Sequence, residues 1–132
     1  MKQMLVLAAV LSFVSGCSRN EEAVVQTMKL DICGEKTIVN PTEADICSAL
    51  SSLNTKSGDA FVVLGPNDMT YIQASGDQNV GFDLEYQEGT TRQHYRAKRE
   101  SIPLNAIIEA FVAYRNENLE WKAKFTFERI SL

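Results

Sequence analysis

The sequence predicts an α+β fold, a single domain in which a mostly antiparallel sheet carries two amphipathic helices. Three observations lead there. Short apolar or alternating runs are separated by Gly, Pro and Asn turns from residue 28 to residue 98, two longer stretches repeat apolar residues at helical spacing, and the chain beyond its leader is long enough for one core but not two.

Val24 to Ile32 opens the domain, with apolar and polar residues alternating from Met28, as in a strand packed on one face. Cys33-Gly34-Glu35 turns it back into Lys36–Asn40, and Pro41 stops the return strand. Thr42 is placed to cap a helix, with Asp45 in the Glu position of a capping box; Ile46, Ala49, Leu50 and Leu53 share one face of that helix. The Asn54–Asp59 loop leads to Ala60–Leu64, whose unbroken apolar run predicts a central strand covered on both faces. Met69–Ala74 and Val80–Gln87 continue a meander through turns at Gly65–Asp68 and Ser75–Asn79.

With Gly89-Thr90 as the next turn, Gln87 lies opposite Arg92, Glu85 opposite His94 and Asp83 opposite Arg96. Phe82, Leu84, Tyr86, Tyr95 and Ala97 then point one way, with Gln93 out of character among them. Asp83, Glu85, Arg92, His94, Arg96 and Lys98 point the other. The acidic strand neutralises the basic one, so this stripe reads as a solvated face rather than a nucleic-acid site. A second helix runs from Leu104 to about Asn116, its Leu104, Ile107, Ile108, Phe111 and Val112 stripe lying on the sheet. Trp121, Phe125 and Phe127 are expected in the core, and Phe125–Ile130 as the last strand.

Residues 1–16 form an export signal: one basic residue, Lys2, an apolar run from Met4 to Leu11, and small residues at the end. The run is too short for a spanning helix, which needs roughly 20 residues. Val14-Ser15-Gly16-Cys17 resembles the lipobox of bacterial lipoproteins, which implies lipidation of Cys17, a tether over 17–25 and a domain over 26–132. Ser18 after the Cys implies, by resemblance to the sorting rule, an outer-membrane anchor facing the periplasm. Loss of Lys2 with the leader takes the net charge from −4 to −5, a balance that suits a basic protein partner and disfavours nucleic acid.

The other two of the three cysteines, Cys33 and Cys47, then sit in an oxidising compartment. A disulfide between them is expected ahead of free thiols or metal ligation, since their spacing matches no zinc pattern and His94 is the sole His. The short loop it closes corresponds to roughly 3 kcal/mol in the chain-entropy account. Any nucleophile–base pair would have to use His94, expected on an open strand face with Asp83, Glu85 and Arg96. The expectation is therefore a binding protein with no catalytic residues, metal, cofactor or small-molecule substrate.

The strand Tyr71-Ile72-Gln73, the Gly81–Gly89 hairpin arm, the helix Ile107-Ile108-Glu109-Ala110-Phe111, then Trp121-Lys122 and Phe125-Thr126-Phe127-Glu128 follow one another in an order that resembles an immunity-protein family of bacterial polymorphic toxin systems. Phe127 stands where that pattern has Trp. The resemblance implies a protein that binds and blocks a toxin or secreted effector; since the other face of the Val80–Lys98 hairpin is committed to packing, its polar face is the expected contact surface, with Asp83 and Glu85 as candidate contacts. A periplasmic lysozyme-inhibitor-like or structural envelope lipoprotein is the competing expectation.

Overall fold

The computed structural model describes residues 26–132. The signal segment, Cys17 and the 17–25 tether lie outside the described residues. Strands β1 (Lys29–Ile32) and β2 (Lys36–Val39) form the first hairpin, followed by helix α1 (Glu43–Ser51). Strands β3 (Phe61–Asn67), β4 (Thr70–Asp77), β5 (Gly81–Glu88) and β6 (His94–Ala97) precede helix α2 (Leu104–Arg115), and β7 (Phe127–Arg129) ends the chain's regular structure. All seven strands join one antiparallel sheet in the order β2-β1-β3-β4-β5-β6-β7.

Local chemistry explains the element boundaries. The first turn is the tight hairpin type in which two successive residues take positive φ, Cys33 at 56° and Gly34 at 71°, closed by Glu35 N–H donating to the Ile32 carbonyl. Thr42 Oγ1 accepts from Asp45 N–H while the Asp45 carboxylate accepts from Thr42 N–H, the reciprocal cap expected for α1. The backbone bond from Thr42 is the larger cause holding the Asp45 carboxyl below its usual range. Asn54, Thr90 and Asn118 each cap a short 3₁₀ turn through a side-chain oxygen.

The core lies between one sheet face and the two helices. Leu30, Val62, Leu64, Ile72, Ala74, Phe82, Leu84, Tyr86 and Ala97 supply the sheet side; Ile46, Ala49, Leu50, Leu53, Ile107, Ala110 and Phe111 supply the helices. The expected α1 stripe is buried throughout; of the expected α2 stripe Ile107 and Phe111 are buried, while Leu104, Ile108 and Val112 are half-buried at its edge and Ala110 joins the buried set. Trp121 follows α2 in a 3₁₀ segment, Leu119–Lys124, and meets Tyr86 and Phe127 edge to face at 5.3 and 5.9 Å. Lys122 lies 4.8 Å from the Tyr86 ring centroid and pairs with Glu88, closing the outer side of this aromatic cluster.

Two expectations need correction. Ala60–Leu64 is not covered on both faces: Val62 and Leu64 are fully buried, but Phe61 and Val63 remain half-buried on the side away from the helices. The β5–β6 hairpin is also shifted by two residues, pairing Glu85 with Arg96, Tyr86 with Tyr95 and Gln87 with His94. Thr91–Gln93 wind into a 3₁₀ turn capped by Thr90 instead of extending the strand. A shift of two preserves the faces, so the division into apolar and polar sides holds.

Asp77 at the end of β4 anchors two loops. Its carboxylate accepts from the Thr55 N–H and hydroxyl and from the Asn79 and Val80 N–H groups. Foremost the Thr55 backbone bond and next that of Val80 hold its pKa at about 2, against an opposing effect of burial. A depressed pKa contributes stability above the ordinary carboxylate value of 3.8 that is lost as pH falls toward 2. Thermal melts of the protein and of Asp77→Asn across that window are expected to converge as pH drops, because the variant lacks this titration.

Candidate functional site: the helix-free sheet face

Side chains alternate across a strand, so commitment of one parity to the core places the other on the opposite face. No helix covers that face among the described residues. The pairings align one residue from every strand into a single row, Thr37, Asp31, Val63, Gln73, Glu85, Arg96 and Glu128. Its middle members, from Asp31 to Glu85, are half-buried, and its ends are exposed.

Beside this row the surface dips into a hollow of about 420 Å³, bordered by Lys29, Asp31, Asp68, Tyr71 and Gln73. Gly65, which also lines the hollow, permits the close approach of β3 to β4: a Cβ there would fall 2.1 Å from the Thr70 carbonyl and 2.8 Å from Tyr71 Cα. The sheet register slips just after it, between Leu64 and Asn67, so the backbone bulges where β3 passes β4.

A hydrogen-bonded cluster fills the β4–β6 part of the face. Gln87 Nε2 donates to the Met69 carbonyl, which turns its Oε1 toward His94 Nδ1, 2.9 Å away. Because Oε1 can only accept, Nδ1 carries a proton. His94 Nε2 stands 2.7 Å from Glu85 Oε1, which extends the network to the next residue pair of the face. Tyr71 donates more weakly to Gln87 at 3.4 Å and meets the imidazole edge-on at 6.1 Å. Burial first, then the Glu85 carboxylate, raises the Tyr71 hydroxyl above its usual value of 10.0.

His94 is consequently not on an open strand face as expected; it is 3 % exposed. The hairpin pattern gave its side of the sheet, but its burial comes from Tyr71, reaching across β5 from β4, and from the two-residue shift beside Gln87. The two candidate contacts also differ from each other. Asp83 pairs with Arg96 at 3.6 Å with both side chains nearly half exposed, whereas Glu85 is committed to His94. Asp83→Lys is therefore expected to change stability by no more than about 1 kcal/mol. Glu85→Lys sets a cation against a buried imidazole and is expected to cost about 2–3 kcal/mol; urea unfolding of both variants measures the difference.

Cys33 and Cys47, expected as a disulfide, are unbonded in the structure, and both are half-buried. Cys33 occupies the first positive-φ position of the β1–β2 turn and Cys47 the flank of α1. No family model, curated protein or solved structure matches the chain.

Proposed function

We propose that the protein is an envelope-tethered binding protein that neutralises a toxin or secreted effector by laying its helix-free sheet face against it, without turnover. The observation that carries this reading is the row of half-buried side chains crossing that face from Asp31 to Glu85, with the hollow beside it. Such a surface is ordered before a partner arrives, which lowers the entropic cost of association. The acidic balance of the chain favours rapid encounter with a basic partner. The lipobox-like end of the leader supports an anchor at Cys17, on an outer membrane facing the periplasm.

Co-purification from native envelopes with an effector encoded beside the gene is the direct test. Reversing Asp68 and Asp83, both on or bordering this face and free of buried partners, is expected to slow association about tenfold at low salt and leave circular dichroism unchanged. If cells lacking the gene resist every such effector and the purified protein binds none, a structural envelope subunit replaces this reading. Inhibition of a basic lysozyme in the same assay would instead support the lysozyme-inhibitor alternative that the acidic charge also fits.

A further inference from the structure

On the helical side of the molecule, α2 and the Leu119–Lys124 segment part to leave a cleft of about 220 Å³. Ala106, Ala110 and Ala113 follow one another on α2 at spacings of four and three and line it with methyl groups, and Glu109 of the same helix borders it beside Lys124. Trp121 and Phe125 supply aromatic walls. Interiors seldom leave voids much larger than a water, and an apolar cavity of about 150 Å³ already admits benzene. The cleft therefore has room for one aromatic ring with a short tail.

Trp121 is 2 % exposed, and its indole Nε1 has no hydrogen-bond partner among the described residues. That nitrogen is also out of reach of solvent, so the indole takes part as a wall of the cleft and not as a donor. Arg99 on the rim enters none of the ion pairs formed by the described residues, while the neighbouring Lys124 is matched by Glu109 at 3.7 Å. A guanidinium presents a planar fork that fits a carboxylate. Glu120, also on the rim, disfavours a ligand with more than one negative charge.

We infer that this cleft binds a small aromatic monocarboxylate, its ring between the α2 alanines and Trp121–Phe125 and its carboxylate on Arg99. The ligand is held, not transformed. The inference is independent of the sheet-face reading, since it concerns the other side of the molecule.

The chain has a single Trp, which makes its fluorescence a reporter of this cleft. Titration of the full-length protein with 3-phenylpropanoate is expected to change that emission saturably, with Kd about 1 mM or tighter. Arg99→Gln is expected to weaken binding about tenfold, and Ala106→Leu to abolish it by filling the space. Ala113→Leu serves the same purpose should the first variant misfold, and alanine methyl chemical shifts give a second readout. Three results would each overturn the inference: no saturable response in either readout up to about 10 mM, equal affinity for 3-phenylpropan-1-ol, or unchanged binding in a folded variant with the cleft filled.

Discussion

Gly81→Ala is expected to abolish the native fold or cost well over 3 kcal/mol. Gly81 begins β5 at φ +89°, a conformation that L side chains rarely adopt. Space is lacking as well, because a Cβ would stand 2.4 Å from Ser101 Cα and 2.8 Å from its carbonyl carbon. Ser101 cannot easily retreat. The next residue, Ile102, is fully buried and exchanges two 2.9 Å backbone hydrogen bonds with Phe82, so movement of this segment would break a bridge and expose a core side chain. Gly89→Ala provides the comparison: its φ is +85° but nothing lies within 4 Å of the added atom, so it carries the conformational cost of about 1 kcal/mol without the clash. Urea denaturation of the two variants separates steric from conformational strain.

Phe111→Ala is expected to cost about 3–5 kcal/mol. Phe111 is fully buried on α2, in the cluster that joins both helices to the sheet. Removing its ring subtracts the transfer free energy of the buried carbons and leaves a void between layers that cannot fully close, since α2 is packed against β3, β4 and β5 together. Phe111→Leu retains most of the volume and is expected to lose less than about half as much. A fall in the urea midpoint at constant slope would identify lost packing; a change of slope would mean that the native or unfolded state had itself altered.

What could be read from the residues differs from element to element for physical reasons. The α1 cap and both helix stripes were legible because capping and burial at helical spacing depend on neighbours within a turn or two of chain. The two faces of β5 and β6 were legible from alternation alone. Their register was not: Gly89-Thr90 resembles a two-residue turn, but Thr90 caps a further turn of chain through Arg92 N–H, moving the pairing by two. Alternation is blind to that shift because the parity is unchanged.

The site was legible to the same extent. Asp83 and Glu85 do lie on the helix-free face, yet only the three-dimensional arrangement distinguishes an exposed carboxylate from one joined to His94. That distinction depends on Gln87 from the adjacent strand and Tyr71 from the strand beyond it crowding the imidazole, a contact with no local sequence signature. The cleft beside Trp121 was equally hidden, since the alanine spacing on α2 reads as ordinary helix until the following segment folds back across it.

The sheet is open at both ends, and open edges invite further copies of a chain to add on. Here the outer strands are poor templates. β2 offers four residues, beginning with Lys36, and β7 only three, including Glu128 and Arg129. An incoming strand would gain few main-chain hydrogen bonds and would have to accommodate a charge at either border. Short, charged edges thus leave a broad sheet face uncovered while opposing growth into a larger aggregate.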